Sequence, residues 1–151
     1  MLNEDYKEML QILLDNDTKF LVVGAYAMAA YGYPRATGDF DIWVDSSPEN
    51  SRKLYQSLSD FGAPVHKITE GTFTEPDVVF QIGIAPRRID ILTRIDGVNF
   101  DQAWKAKKDI VVESLPIPFI SKENLIRNKK ATGRERDKLD ADWLEKTGTG
   151  S

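Results

Sequence analysis

The sequence predicts an α+β domain in which helices flank a mixed β-sheet. Apolar residues recur at helical spacing near both ends of the chain, and short apolar or alternating runs typical of strands lie between them. The helices and strands follow no strict βαβ repeat, which favours a mixed sheet over a parallel one. With 151 residues, of which 41% are hydrophobic, the chain can bury a core. We therefore expect one domain over residues 1–146 and a flexible tail over 147–151.

The first elements are a helix, a strand and a second helix. Apolar residues at helical spacing from Glu4 to about Asn16 predict the first helix, and the run KFLVVG that follows is typical of a short buried strand. The alanine-rich stretch AYAMAAYG predicts a short helix that ends at Gly32, since glycine commonly terminates helices. A loop with Pro34 and Gly38 follows.

The stretch DFDIWVD, residues 39–45, has the alternation of a β-strand. One face is apolar, whereas the other carries three acids and a tryptophan: Phe40, Ile42 and Val44 against Asp39, Asp41, Trp43 and Asp45. Aspartate is depleted from strands, and like charges on one face repel each other. Some further interaction must therefore offset the cost of the acids on this strand.

A helix with clear end signals comes next. Ser47 is a typical N-cap, Pro48 suits the first helical position, and Gly62 ends the helix. We expect its apolar residues to face inward, namely Leu54, Leu58 and Phe61. Residues 63–77 are polar and irregular, which predicts a loop with at most one weak strand.

Two strand-like runs, VVFQIGIA and RRIDILTRI, flank Pro86 and predict a hairpin with Ile89 and Ile91 inward and Asp90 outward. After the Asp96-Gly97 turn, FDQAWKAK predicts a short helix and DIVVESL another strand.

Two helices are predicted at the C-terminal end, packed on the sheet. Ser121 is expected to cap the first, which extends to about Thr132. The second runs from about Arg134 to Lys146, and its expected apolar contacts are Leu139, Trp143 and Leu144.

Composition excludes several classes of protein. The net charge of -4 and the pI near 5.1 argue against a surface built to bind polyanions. The absence of cysteine excludes disulfides, thiol catalysis and thiolate metal sites. No signal peptide and no apolar run near the ~20 residues of a membrane span is present, so we expect a cytoplasmic protein with no membrane partner.

Three stretches carry a resemblance to a known superfamily. A strand ending in VVGAYA, the segment RATGDFD, and RIDIL on a later strand resemble the nucleotidyltransferase superfamily, which has the DNA polymerase beta type fold. The chain is most similar to small bacterial nucleotidyltransferases related to those of abortive-infection toxin–antitoxin systems. Their pattern hGGxAxxxhGxxRxTxDhDhhh resembles residues 23–45, and their ending hIxxKxxxGRxxDxxDhxxL resembles LIRNKKATGRERDKLDADWL. The resemblance implies the nucleotidyltransferase fold.

The resemblance gives the acids a function. Two carboxylates ~4 Å apart repel by roughly 4 kcal/mol at an effective dielectric of about 20, and bound divalent cations would reverse this cost. Asp39 and Asp41 project in parallel and can hold a pair of magnesium ions, with Asp90 on an adjacent strand completing the cluster. In the family the first two acids bind both metals, and the third binds one and helps to deprotonate the attacking hydroxyl. The alternative is an edge strand with a solvated acidic face.

Nucleotide binding is expected at the helix that follows the first strand. Gly24 permits close approach of phosphate to the backbone N–H groups there. Ala25 departs from the family, which has glycine or serine at this position, but its N–H remains available. Arg35 is expected either to pair with the triphosphate or to hold Asp41, and Thr37 matches the family pattern.

A basic run on the C-terminal helices is the other candidate nucleotide contact. It contains six cations: Arg127, Lys129, Lys130, Arg134, Arg136 and Lys138. Such a run is often only a solvated face. The resemblance favours Lys130 and Arg134 as residues of the nucleotide cleft, and Asp137 is expected to orient Arg134 by a salt bridge.

Together these features predict an enzyme that transfers a nucleoside monophosphate from an NTP to a hydroxyl acceptor, with Mg2+ as cofactor and two ions expected. The acceptor is a protein such as a toxin partner, a tRNA or a small molecule. One alternative is a catalytically silent relative that acts as an antitoxin or binding partner, which Ala25 makes credible. The other is a metal-dependent phosphohydrolase.

Overall fold

A mixed β-sheet is the frame of the molecule. The computed structural model describes residues 2–33, 39–84 and 86–147, and within them six strands form one sheet in the order β3-β4-β2-β1-β6-β5. The strands are β1 (Phe20–Val23), β2 (Asp39–Val44), β3 (Val79–Ile82), β4 (Arg88–Leu92), β5 (Lys108–Val112) and β6 (Leu115–Phe119). The helices are α1 (Glu4–Asp15), α2 (Gly24–Ala30), α3 (Pro48–Phe61), α4 (Phe100–Lys105), α5 (Lys122–Ala131) and α6 (Glu135–Lys146).

The sheet combines parallel and antiparallel pairs, as predicted. β2 pairs antiparallel with β1 on one side and parallel with β4 on the other. β3 pairs antiparallel with β4, which confirms the predicted hairpin around Pro86. β1 pairs parallel with β6. The α+β prediction with a mixed sheet is confirmed.

One face of the sheet builds the hydrophobic core. The Phe40 side of β2 packs under α1, where the rings of Tyr6 and Phe40 stack with centroids 4.7 Å apart. The apolar residues Met9, Leu10 and Leu13 of α1 are fully buried, as the helical spacing predicted. Each such side chain contributes about 1.5–3 kcal/mol when it leaves water, so this face supplies much of the folding energy.

The predicted helix boundaries are confirmed where they depend on local capping. The Ser47 hydroxyl accepts a hydrogen bond from the Asn50 N–H at 3.2 Å, and Pro48 begins α3. The helix ends at Gly62, whose φ of 92° lies in the left-handed region. The Ser121 hydroxyl likewise accepts from the Asn124 N–H at 3.2 Å at the start of α5.

The region after α4 contains one strand more than predicted. The sequence indicated a single strand in DIVVESL, whereas the structure has the hairpin of β5 and β6, which turns at Glu113 and Ser114 with positive φ at both. The second strand was missed because Pro116 and Pro118 lie within it and proline donates no ladder hydrogen bond. Partner strands on both sides stabilise β6 in spite of its prolines.

Two other expectations have different outcomes. Residues 63–77 form the predicted loop, which contains two single turns of 3-10 helix, Val65–Lys67 and Thr72–Thr74, and no strand. Leu139, expected to be an apolar contact of α6, is 65% exposed. The buried face of α6 instead carries Asp137, Asp140, Ala141 and Leu144, because the two acids pair with a buried lysine of α5.

No helix within the described residues is long and apolar enough to span a bilayer. The tail predicted from residue 147 falls almost wholly outside the described part of the chain, which ends at Thr147.

Candidate active site

The predicted acids meet on the sheet face opposite the Phe40 core. β2 and β4 lie side by side and parallel, with Asp41 directly opposite Asp90. Asp39 is two residues before Asp41 and therefore shares its face. Asp90 lies on the predicted face, opposite to that of Ile89 and Ile91, but it is only 8% exposed. We call Asp39, Asp41 and Asp90 the acidic cluster.

An arginine that the sequence pattern did not indicate as a site residue lies within this cluster. Arg88 is opposite Asp39 in the β2–β4 register, and its Nη2 donates to Asp39 Oδ2 at 2.8 Å. Its Nε lies 3.1 Å from Asp90 Oδ1, and its Nη2 lies 3.4 Å from Asp90 Oδ2. One guanidinium therefore connects carboxylates of two strands. The available signal was its position two residues before Asp90, which puts both side chains on one face.

Two acids of the cluster have raised pKa values. Burial, with the nearby charges of Asp90 and Asp39, raises the pKa of Asp41 to about 6, although Arg88 and Lys129 oppose the shift. Burial also raises the pKa of Asp90, against the opposing effect of Arg88. Surplus negative charge in a partly buried site favours a cationic ligand.

Gly24 is needed because the carboxylate of Asp41 lies against it. Its φ is 69°, a conformation that side chains rarely adopt, and a Cβ there would overlap Oδ2 of Asp41. The backbone at the start of α2 thus closely approaches the acidic cluster. The phosphate contacts expected from Gly24 and Ala25 stay a prediction.

A cavity of about 230 Å3 opens beside this contact. Val23 lines it together with Asp41, its partner in the β1–β2 register, so the cavity lies on the acidic face of the sheet. The C-terminal end of α5 and the N-terminal end of α6 line the other side of the cavity. Its polar lining includes Asp41, Arg94, Asn128, Lys129, Arg134 and Asp137.

A second group of charges holds α5 against α6. Lys129 Nζ lies 3.3 Å from a carboxylate oxygen of Asp137 and 3.3 Å from one of Asp140. The Thr132 hydroxyl and Arg134 Nε donate to Asp137 Oδ2 at 2.6 and 2.8 Å. We call Lys129, Asp137 and Asp140 the interhelical ion cluster. Burial alone would raise the pKa of Asp137, but the Thr132 hydrogen bond and the two cations lower it.

The two basic residues predicted to contact the nucleotide, Lys130 and Arg134, lie in different surroundings. Arg134 lines the cavity and makes the predicted salt bridge with Asp137. Lys130 does not line the cavity, and its half-exposed side chain pairs with Glu145 at 3.1 Å. The buried Lys129 lies there instead. The sequence did contain a signal for Lys129. In the family ending hIxxKxxxGRxxDxxDhxxL the lysine lies four residues before the glycine, and with Gly133 as that glycine the lysine is Lys129.

Arg35 and Thr37, the other two predicted nucleotide contacts, lie outside the described residues. Their roles stay predictions.

The acidic cluster suits a magnesium ion by its chemistry. Its donors are carboxylate oxygens, which Mg2+ prefers. Asp90 Oδ1 is buried and accepts no well-formed hydrogen bond within the described ranges, although Arg88 Nε is near it. As they are arranged, no three acidic or histidine side chains of the described residues converge closely enough to hold a metal. The donor set fits a divalent cation, but Arg88 lies between two of its members.

A larger cavity of about 410 Å3 lies on the opposite face of the sheet. Val22 and Phe40 line it with other aliphatic and aromatic residues, and both side chains point away from the acids. Its lining is mainly apolar and carries no acidic or basic side chain, so we assign the chemistry to the smaller cavity.

Two solved structures resemble this chain over nearly its whole length. One is TM1012 from Thermotoga maritima, whose assignment as a nucleotidyltransferase is provisional, with a TM-score of 0.63 and 17% identity over 97% of this chain and 96% of that one. The other is the lincosamide antibiotic adenylyltransferase LnuA bound to lincomycin, with a TM-score of 0.61 and 17% identity over 97% and 98%. Comparison with protein-family models and with curated proteins finds no match. The structural likeness establishes the nucleotidyltransferase fold predicted from the sequence.

Proposed function

We propose that the protein is a metal-dependent nucleotidyltransferase that moves a nucleoside monophosphate from an NTP to a hydroxyl acceptor and releases pyrophosphate. The observation that carries this proposal is the acidic cluster, three carboxylates on the in-register strands β2 and β4. It lies against the Gly24 backbone and beside a cavity with cationic residues on its far side. The fold, shared with an adenylyltransferase, supports the same reaction.

Asp39 and Asp41 would hold the divalent cations, for which we propose two Mg2+ ions, with Asp90 as a further ligand. Bound magnesium would lower the cost of negative charge at the attacking and leaving oxygens. Proximity of the reacting groups supplies much of the remaining rate enhancement.

Asp90 is the proposed general base for the acceptor hydroxyl. Its raised pKa moves it toward neutral pH, where a carboxylate accepts protons more readily. Because it reaches the cluster from β4 rather than β2, it approaches the reacting atoms from a different side than Asp39 and Asp41.

The triphosphate is proposed to lie between the start of α2 and the ends of α5 and α6. Backbone N–H groups of Gly24 and Ala25 would contact it from one side, and Arg134 from the other. Lys129 takes the place that the sequence suggested for Lys130, because only Lys129 lines the cavity. Arg35 is proposed either to pair with the triphosphate or to hold Asp41, and Thr37 to belong to the nucleotide site.

The LnuA neighbour favours ATP as the first donor to test and a small-molecule alcohol as the first acceptor. A protein acceptor such as a toxin partner, and the end of a tRNA, are the other acceptor classes. The dependence on nucleoside triphosphates favours a cytoplasmic location.

The decisive experiment follows the nucleotide. The protein is incubated with α-labelled ATP, CTP, GTP or UTP, Mg2+ and each acceptor class, with Asp90→Asn as the inactive control. Label on an acceptor or on the protein, with release of pyrophosphate, is the expected result. Free labelled NMP would instead identify a phosphohydrolase. No product and no NTP binding by calorimetry would identify a silent binding partner, the alternative that Ala25 supports.

A further inference from the structure

Arg88 occupies the position in which a cation between Asp39 and Asp90 would lie. Its guanidinium contacts Asp39 at 2.8 Å and Asp90 at 3.1 Å, although the two acids belong to different strands. The β2–β4 register places Arg88 directly beside Asp39 and two residues before Asp90, so the bridge follows from the pairing of the strands.

This bridge differs from an ordinary surface salt bridge. The Arg88 side chain is 32% exposed, that of Asp39 42% and that of Asp90 only 11%, so water screens the Asp90 contact less than the Asp39 contact. The planar guanidinium offers several donors in a fixed fork and keeps its charge at every physiological pH. It therefore contacts two carboxylates at once with a single positive charge, where a divalent cation would supply two.

We propose that Arg88 is a built-in counterion of the acidic cluster, which a divalent cation must displace from Asp39 and Asp90 in order to bind. This inference rests on the proposed function, since it concerns the metal of that reaction. A guanidinium and a divalent cation that share two carboxylates repel each other, so the two compete. With Arg88 in place, no three carboxylates among the described residues converge on one metal position.

The competition links metal binding to nucleotide binding. Without nucleotide, Arg88 supplies the positive charge and the cluster holds divalent ions weakly. A triphosphate brings additional negative charge and its own cation, which shifts the balance toward the metal. The displaced guanidinium remains beside the cluster, where the phosphate oxygens are suitable partners.

The test is a titration with Mn2+ in the absence of nucleotide, in which electron paramagnetic resonance measures the concentration of free Mn2+. Arg88→Gln is expected to bind Mn2+ at least ~10-fold more tightly than the unmodified protein, because a competing like charge is removed. Arg87→Gln is the matched control. It removes the same charge from the adjacent residue, whose 60% exposed side chain lies 3.7 Å from Asp5. The control should bind Mn2+ as the unmodified protein does.

Arg88→Lys provides a second variant that keeps the charge but loses the forked guanidinium. Its Mn2+ affinity should lie between that of the unmodified protein and that of Arg88→Gln. Circular dichroism checks that each variant is folded. Equal gains in Arg88→Gln and Arg87→Gln, or no gain in Arg88→Gln and Arg88→Lys, would overturn the inference. If Asp41→Asn still abolishes Mn2+ binding in that case, the proposed function stands without it. Absence of Mn2+ binding in every variant, with and without ATP, would overturn the metal-dependent function as well.

Discussion

The acidic cluster and the interhelical ion cluster each contribute to the lining of the same cavity, the first through Asp41 and the second through Lys129 and Asp137, yet their charges are balanced differently. In the interhelical cluster, the buried Lys129 lies between Asp137 and Asp140, and further donors complete the shell of Asp137. In the acidic cluster, the Arg88 guanidinium contacts both Asp39 and Asp90, and Asp41 lies among these like charges.

The pKa shifts of the two clusters follow this difference. The pKa of Asp137 is lowered although the residue is buried, because the hydrogen bond from Thr132 and the two cations stabilise its charge. The pKa of Asp41 is raised to about 6, because burial and two neighbouring acids outweigh Arg88 and Lys129. Balanced buried charge holds two helices together, whereas unbalanced buried charge favours a ligand that supplies the missing cation.

The largest expected effect is on stability, when the balanced cluster is broken. Lys129→Met leaves Asp137 and Asp140 buried without their shared cation and should lower the free energy of unfolding by about 3–5 kcal/mol. Denaturation with urea measures it. Lys130→Met is the matched control, because its exposed pair with Glu145 contributes at most about 1 kcal/mol. Similar small losses in both variants would mean that Lys129 does not hold the helices.

In the acidic cluster the largest expected effect is on catalysis. Asp90→Asn should reduce nucleotide transfer at least ~100-fold, the lower end of what general base catalysis contributes, with most of the NTP affinity retained. Transfer of labelled nucleotide and calorimetric NTP binding are measured side by side. Asp109→Asn on the edge strand β5 is a control that removes an exposed acid. Normal transfer by Asp90→Asn would contradict its role as the base.

A smaller effect separates the two basic residues named from the sequence. Arg134→Ala should weaken NTP binding by ~1–3 kcal/mol, the scale of a lost hydrogen bond to a charged group. Lys130→Ala should change it little, because Lys130 does not line the cavity. Calorimetry with ATP and Mg2+ gives both values. Equal losses from the two variants would show that charge near the cavity matters more than contact.

The smallest expected effect is a gain in stability that depends on pH. The pKa of Asp41 rises from an ordinary value near ~3.9 to about 6 in the folded protein. The folded state therefore holds its proton more tightly than the unfolded state does. The contribution of Asp41 to stability falls as pH rises from about 4 to 6 and stays low above that range.

Asp41→Asn escapes this penalty. Without divalent cations its free energy of unfolding should exceed that of the unmodified protein by about 1–2 kcal/mol at pH 7.5, with little difference at pH 4. Asp39→Asn serves as the contrast, since it loses the ion pair with Arg88 and should gain nothing. Thermal melts across this pH range measure both variants. A difference that does not change with pH would contradict the shift at Asp41.

Features that depend on local chemistry were predictable from the sequence. The caps at Ser47 and Gly62 act within one helical turn, and alternation alone placed Asp39 and Asp41 on one face. The strand β6 was not predictable in this way, because Pro116 and Pro118 argue against a strand and only its neighbours in the sheet stabilise it.

The features that the sequence did not predict depend on partners distant in the sequence. Arg88 was missed because its contact with Asp39 exists only once β2 and β4 are paired. Lys129 and Lys130 are adjacent, but successive residues of a helix point about 100° apart, so only one faces the cavity. Leu139 stayed exposed because the face of α6 turned toward α5 carries Asp137 and Asp140.

The central claim is that the acidic cluster takes up the cation that accompanies a nucleotide. Calorimetry of ATP binding to the unmodified protein and to Asp41→Asn, each with Mg2+ and with EDTA, tests it most directly. We expect ATP to bind the unmodified protein with Mg2+, and its affinity to fall at least ~10-fold when Mg2+ or the Asp41 carboxylate is removed. Equal ATP affinity in all four titrations would contradict it.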